Sequence, residues 1–181
     1  MSRIPVPARD AVPAASKPLL DAVEKQLGVV PNLFRLVGQS PAALQGLLGL
    51  NGALGHAFDP ATRERVALAV AQANGCDYCL SAHAYLAANL AKLDAAEIER
   101  NRAGGSSDPK ADAIVKFAAK VTVAKGRVSD ADIAAVKLAG VTDAQVMEVV
   151  ALVAVNVFTN YANNLAETPI DFPVVRAAEA A

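Results

Sequence analysis

The chain has 181 residues, of which 54% are hydrophobic and 19% are charged, and its formal net charge is −1. This length and apolar content fit one domain with a substantial core. A nearly neutral chain has no field of one sign to hold a polyanion, so we expect no nucleic-acid partner. The apolar stretch at 149–158 contains Asn156 and is shorter than the roughly 20 residues of a membrane span, so we also expect no membrane partner.

The N-terminal residues contain prolines and charges in place of the uninterrupted apolar region of a signal peptide. We therefore expect a cytoplasmic protein. In a reducing compartment, two cysteines close in sequence are more typical of catalysis or metal binding than of a structural disulfide.

Proline and cap positions divide the chain into three parts. Residues 1–16 carry three prolines and no apolar periodicity, which predicts an extended N-terminal arm. Residues 17–175 are predicted to form the helical domain, and residues 176–181 a C-terminal tail. Within the domain, the proline-containing apolar segment 168–175 is expected to dock, either on another subunit or on the core of its own chain.

Helix signals recur throughout the domain. Ser or Asp followed by Pro marks several starts, and glycine or proline follows most of the ends. Valine-rich stretches have strand propensity, but they keep helical spacing among alanines and show no alternating pattern. We predict an all-α fold with helices near 18–27, 33–38, 41–54, 61–74, 76–91, 109–125, 129–139 and 142–166.

The two cysteines of the chain occur in the sequence Cys76-Asp77-Tyr78-Cys79, and His83 follows four residues later. On a helix that advances 100° per residue, both sulfurs and the imidazole share one face. A vicinal thiol pair beside a histidine is a redox or metal-binding arrangement.

Thiol chemistry needs one deprotonated sulfur to attack and a second sulfur near enough to capture the product. A helix N-terminus and an imidazole lower a thiol pKa, and a carboxylate can accept the released proton. Glu64, on the preceding helix, is the candidate carboxylate. By helix position alone, Cys76 is favoured as the thiolate because it lies closer to the helix N-terminus.

Glu64, the two cysteines and His83 together resemble the Glu-x11-Cys-x2-Cys-x3-His signature of the AhpD-like alkylhydroperoxidases, within the carboxymuconolactone decarboxylase superfamily. The resemblance covers roughly residues 17–175. Its peroxidase-related branch is matched further by Val29-Val30-Pro31-Asn32-Leu33-Phe34, Asn74-Gly75, Ser81-Ala82-His83 and the segment from Asn156 to Asn164.

The resemblance implies an all-helical protomer assembled as a trimer or hexamer, which reduces hydroperoxides without haem, flavin or metal. In the family scheme Cys79 is the peroxidatic thiolate, with Glu64 and His83 handling its proton. Cys76 then resolves the sulfenic acid as a disulfide. Cys76 is also the expected docking point for a lipoyl- or thioredoxin-like dithiol reductant.

One position departs from the better-known AhpD proteins, which have histidine where this chain has Tyr78. With an ordinary pKa of about 10, a tyrosine is a poor proton shuttle at neutral pH, although it can line the substrate pocket. Family members that decarboxylate a lactone generally lack the vicinal cysteines.

Three alternatives stay open from the sequence. The chain could be a redox-sensing or zinc-binding helical oligomer without turnover, its cysteines could be small core residues, or it could be a carboxymuconolactone decarboxylase-like enzyme. The asparagines at 156, 160, 163 and 164 are expected to find hydrogen-bond partners, either across a subunit interface or within one protomer.

Overall fold

A computed structural model describes residues 2–178 of the chain. Over this range the chain forms α-helices and short 3-10 turns and no β-strand, which confirms the all-α prediction. The helices are α1 (Lys17–Leu27), α2 (Asn32–Val37), α3 (Pro41–Ala53), α4 (Pro60–Ala73), α5 (Asp77–Asn89), α6 (Ala95–Arg102), α7 (Pro109–Val123), α8 (Asp130–Leu138) and α9 (Asp143–Ala166).

Helix α4 is the centre of the fold. It begins after Asp59, whose side chain caps the helix by accepting from the backbone N–H of Thr62, with Pro60 at the first position. The residues from Val66 to Ala71 are all buried, and the helix packs against α5, α6, α7 and α9. A helix that is apolar on every side in this way belongs in the interior.

A tight turn joins α4 to α5. Gly75 lies in the left-handed region with φ of +60°, a conformation that costs glycine little. Cys76 then follows in an extended conformation as the N-cap of α5. This reversal lays α5 against α4, which brings the cysteine helix next to the helix that carries Glu64.

Helix α6 was not among the predicted helices, and the preceding helix ends at Asn89 rather than Ala91. The start of α6 is fixed by Asp94, which accepts from the backbone N–H of Glu97. The helix is held to α4 by an ion pair in which Nε of Arg65 lies 2.9 Å from Oε1 of Glu97.

Helix α9 agrees with the predicted helix 142–166 to within one residue, but only its stretch 149–158 was considered as a possible membrane span. By length and composition it could span a membrane, although core helices of many proteins pass the same test. In this fold it packs against α3, α4, α5 and α7. Its outward side carries a stripe of exposed apolar residues at helical spacing. The members of this α9 stripe are Met147, Val150, Phe158, Tyr161 and Leu165.

The N-terminal arm lies on its own protomer. Val12 is buried, and two short 3-10 turns flank it at Arg9–Ala11 and Ala14–Ser16. The Ser16 hydroxyl donates to the backbone carbonyl of Gly38 across 2.6 Å, which ties the arm to the end of α2.

Residues 168–178, here called the C-terminal strap, cross the first turns of α5. This placement on the same chain is one of the two that the sequence left open. The strap is joined to α5 by Asp171 with Tyr78, Val175 with Ser81, and Arg176 and Ala177 with Asp77. The remainder of the predicted tail, residues 179–181, lies outside the described part of the chain.

Candidate active site

The two cysteines are free thiols buried at the N-terminus of α5. Their sulfurs are 2.7 Å apart, with the thiol of Cys76 donating to Sγ of Cys79. Sγ of Cys76 also accepts from the backbone N–H of Cys79 at 3.3 Å. This spacing allows a bond to form between the sulfurs without rearrangement of the helix.

Hydrogen bonds converge on Cys79. Burial raises the pKa of its thiol, but this effect is outweighed by the hydrogen bond from Cys76, the charge of His83 and the amides of Asn163 and Asn160. Together they lower the pKa of Cys79 to about 7. A substantial fraction of Cys79 is therefore thiolate at neutral pH, which makes it a competent nucleophile.

Cys76 has the opposite electrostatics. The hydrogen bond that it donates to Cys79 raises its pKa, and burial and the Cys79 charge raise it further. Its N-cap position does not reverse this, because the N–H that reaches Sγ of Cys76 is a weaker influence than the adjacent sulfur. The geometry therefore gives the more acidic thiol to Cys79, in contrast to the preference for Cys76 drawn from helix position alone.

Glu64 and His83 face each other between α4 and α5. Nδ1 of His83 lies 2.8 Å from Oε2 of Glu64, and both side chains are largely buried. Burial lowers the pKa of His83, but the carboxylate charge and hydrogen bond of Glu64 prevail and raise it. An imidazolium one helical turn beyond Cys79 stabilises the thiolate and can return a proton.

Two asparagines of α9 lower the pKa of the Cys79 thiol. Nδ2 of Asn163 donates to Sγ of Cys79 at 3.3 Å. Asn160, one turn earlier, accepts from Nδ2 of Asn74 at 2.9 Å through its own Oδ1. Asn160 and Asn163 were not among the predicted site residues. The feature of the sequence that could have identified them is the set of asparagines within the otherwise apolar helix α9.

Tyr78 is held by its hydroxyl. The oxygen accepts from the backbone N–H of Leu33 at 3.1 Å and donates to Oδ1 of Asp171 at 2.8 Å. Burial and the Asp171 carboxylate raise the pKa of the phenol, so it stays neutral. The ring also meets Phe172 of the C-terminal strap edge to face. Tyr78 therefore anchors the strap over α5.

A cleft of about 350 Å³ opens beside this arrangement. It lies between the start of α5, the end of α9 and the C-terminal strap. Tyr78 and Asn163 both line it, and Asn163 is the lining residue that touches Sγ of Cys79. A second cleft, of about 260 Å³, lies near the N-termini of α4, α7 and α9 and includes none of the predicted site residues.

The structure thus brings Glu64, Cys76, Cys79 and His83 together and places Tyr78 at the neighbouring cleft. It does not leave Cys76 accessible, because this residue is fully buried beneath the first turn of α5. Across residues 2–178, no three His, Cys, Asp or Glu side chains converge as metal ligands.

The sequence also matches a known family. The model of the carboxymuconolactone decarboxylase family matches residues 41–120, a range that contains both cysteines, Glu64 and His83. The fold agrees with that of an AhpD core structure. The family match over residues 41–120 and this shared fold make the chain similar to the AhpD-like proteins of the carboxymuconolactone decarboxylase superfamily.

Several solved structures share the fold of this chain. The alkylhydroperoxidase AhpD core of an uncharacterized peroxidase-related protein from Ralstonia eutropha JMP134 is 26% identical, with a TM-score of 0.82 over 94% of this chain and 92% of that one. An uncharacterized peroxidase-related protein from Silicibacter sp. TM1040 is 21% identical, with a TM-score of 0.78 over 93% and 91% of the two chains.

The fold is also shared by the debrominase Bmp8, solved in complex with 2,3,4-tribromopyrrole. It is 18% identical, with a TM-score of 0.76 over 93% of this chain and 91% of that one. At this identity the likeness concerns the fold alone. No curated protein sequence matches the chain. The superfamily fold therefore carries more than one chemistry, and the activity has to be argued from the site.

Proposed function

We propose that this protein is a thiol-dependent peroxidase that reduces a hydroperoxide to an alcohol and is regenerated by a dithiol. The observation that carries the proposal is the thiol pair itself. Cys79 has a lowered pKa, and Cys76 lies 2.7 Å away in a position to capture an oxidised sulfur. Neither haem nor flavin nor metal is needed for this chemistry.

In the first step, the Cys79 thiolate attacks the terminal oxygen of the hydroperoxide. An S–O bond forms and the O–O bond breaks, so the sulfur is oxidised by two electrons and the peroxide is reduced. The leaving alkoxide takes a proton from the His83 imidazolium, which Glu64 holds in place. The products are a sulfenic acid on Cys79 and an alcohol.

In the second step, the Cys76 sulfur attacks the sulfur of the sulfenic acid. The S–S bond forms while the S–O bond breaks, and the hydroxyl leaves as water with the proton of Cys76. A dithiol of the lipoyl or thioredoxin class then reduces the disulfide to two thiols and becomes a disulfide itself. Because Cys76 is fully buried, this exchange requires the first turn of α5 or the C-terminal strap to move.

A homo-oligomer, either a trimer or a hexamer, forms part of the proposal. The α9 stripe supports it, since five large apolar side chains on one helix face are exposed in the protomer. Exposed apolar faces of this kind are typical of subunit interfaces.

The test is peroxide consumption by metal-free protein with dihydrolipoamide as the donor and tert-butyl hydroperoxide as the substrate. We expect turnover in the wild type, no turnover in Cys79→Ser or Cys76→Ser, and a large loss in Glu64→Gln. The matched control is Glu99→Gln, because the Glu99 side chain is mostly exposed and pairs with Arg102 away from the thiols.

The alternatives correspond to other outcomes of this test. Oxidation of one thiol pair per protomer without turnover would replace the peroxidase by a redox sensor. Release of carbon dioxide from a carboxylated lactone, unaffected by Cys79→Ser, would favour a decarboxylase.

A further inference from the structure

Two amide atoms beside the Cys79 sulfur lack a hydrogen-bond partner among residues 2–178. One is a donor, Nδ2 of Asn160, and the other is an acceptor, Oδ1 of Asn163. Asn160 is fully buried and Asn163 is 2% exposed. Buried polar atoms are nearly always paired, so two unpaired ones next to a nucleophile require an explanation.

The two amides act on the same side of the sulfur. They lie one helical turn apart on α9 and therefore project from the same face. Nδ2 of Asn163 already donates to Sγ of Cys79, and the amide of Asn160 also helps to lower the pKa of that thiol. The unpaired donor and the unpaired acceptor thus belong to two amides that both act on the Cys79 sulfur.

The cleft reaches one of the two amides, that of Asn163. Asn163 lines it, and so does Thr168, whose hydroxyl is also buried and has no partner within the described chain. The backbone N–H of Thr168 donates to the carbonyl of Asn163, which keeps the two residues adjacent. A small polar molecule in the cleft therefore lies beside two residues that carry unpaired polar atoms.

We infer that the amides of Asn160 and Asn163 bind the oxygen that is transferred to Cys79. This inference rests on the proposed peroxidase function and adds to it the residues that recognise the hydroperoxide group. The hydroperoxide O–H donates to Oδ1 of Asn163, while the same oxygen accepts from Nδ2 of Asn160. After the O–O bond breaks, the hydroxyl of the sulfenic acid keeps both hydrogen bonds.

The two unpaired amide atoms indicate which class of ligand they can bind. One neutral donor and one neutral acceptor match a hydroxyl or hydroperoxide, which is itself a donor and an acceptor. They match a carboxylate or phosphate poorly, because an anion leaves Oδ1 of Asn163 without a donor. The amide pair therefore favours a neutral peroxide over an anionic ligand.

The experiment compares two reactions of Cys79 in protein that carries Cys76→Ser. Peroxide reactivity is the second-order rate of sulfenic acid formation with tert-butyl hydroperoxide, followed by mass spectrometry after dimedone trapping. Thiolate reactivity is the rate of alkylation by iodoacetamide, which needs no oxygen-binding site. Asn160→Leu removes the donor while keeping the volume, and Asn160→Ala is used as well in case the leucine variant does not fold.

The matched control is Asn156→Leu. Asn156 is buried on the same helix, but its amide already donates to the Leu152 carbonyl at 2.8 Å. We expect the Asn160 variants to form sulfenic acid about tenfold more slowly, the effect of one hydrogen bond, and to hold it for a shorter time. Both rates are measured at pH 9, where Cys79 is thiolate in every variant, so that the contribution of Asn160 to the pKa of Cys79 does not enter the comparison. Alkylation should then change much less, and the control should change neither rate.

Equal slowing of both reactions would overturn the inference, since the amides would then act only through the thiolate. Unchanged sulfenic acid formation in the Asn160 variants would overturn it too, and would leave the peroxidase proposal standing. Failure of the parent protein to form sulfenic acid, while iodoacetamide still alkylates Cys79, would refute the proposed function and the inference together.

Discussion

The carboxylate of Glu64 on α4 holds the imidazole of His83 on α5, with 2.8 Å between Oε2 and Nδ1. This contact raises the pKa of His83, and the resulting imidazolium helps to lower the pKa of Cys79. Glu64 therefore affects the pKa of Cys79 indirectly, through its contact with His83.

Replacing Glu64 by glutamine should weaken the Cys79 nucleophile. Without the carboxylate charge the imidazolium is less favoured, so the pKa of Cys79 should rise by about one unit. Alkylation by iodoacetamide at pH 7, measured in protein carrying Cys76→Ser, should slow severalfold and recover at higher pH. Glu99→Gln should leave the profile unchanged, and an unshifted profile in Glu64→Gln would contradict this linkage.

The pH dependence of thiol reactivity should separate the two cysteines. Because the pKa of Cys79 is lowered to about 7, its alkylation rate should rise with pH and reach half its maximum at about pH 7. Cys76 has a raised pKa because of its contact with Cys79, so in the wild type peptide mass spectrometry should find the first alkyl group on Cys79 throughout this range. A first alkyl group on Cys76 would contradict the asymmetry.

Replacing Glu97 by alanine should destabilise the fold without involving the thiols. The carboxylate is buried and pairs with Nε of Arg65, so its removal leaves a largely buried guanidinium unpaired. The expected loss is about 3 kcal/mol in the free energy of unfolding by urea. Glu99→Ala, at an exposed acid on the same helix, should cost less than about 0.5 kcal/mol.

Low pH should also destabilise the fold, because it protonates Glu97. Burial raises the pKa of Glu97, but hydrogen bonds from Ser106, Asn101 and Ser107 outweigh it and hold the pKa far below the usual range. A lowered folded-state pKa contributes stability above the unfolded value of about 4.3, and this stability is lost as the pH falls below it. The wild type should therefore lose more stability than Glu97→Ala between pH 5 and 3, on the order of 1 kcal/mol. Parallel losses would contradict the assignment.

A charge placed within the α9 stripe should break the oligomer. Phe158 is 41% exposed in the protomer, and we expect Phe158→Glu to shift the mass measured by light scattering toward the monomer. Leu138→Glu is the matched control, because this leucine is 91% exposed on α8, outside the stripe. A wild-type monomer, or an oligomer that tolerates Phe158→Glu, would contradict this interface.

The sequence predicts what is encoded locally. Ser129 and Thr142 form capping boxes with the residues three positions later. The starts of α8 and α9 can therefore be located from a short stretch of sequence. Helix α6 has a cap of its own at Asp94, but it is short and polar, and Ile98 is its one buried apolar residue. The sequence of α6 therefore has too few apolar residues at helical spacing to predict a helix.

Contacts between distant parts of the chain were beyond sequence reasoning. The hydrogen bond from Asn163 to Cys79 joins residues 84 positions apart, and the one from Tyr78 to Asp171 spans 93. No periodicity encodes either pairing. The spacing of the two cysteines indicated that they could react with each other. The amide groups that add to the effects of Cys76 and His83 on the pKa of Cys79 come from the packing of α9 against α5.

The most direct test of the account is the intermediate on Cys79. Protein carrying Cys76→Ser is treated with one equivalent of tert-butyl hydroperoxide, trapped with dimedone and analysed by peptide mass spectrometry. The account predicts one dimedone adduct per protomer, on Cys79, and an intramolecular disulfide between Cys76 and Cys79 in the wild type. An unmodified Cys79 after this treatment, in protein whose thiol is still alkylated by iodoacetamide, would contradict it.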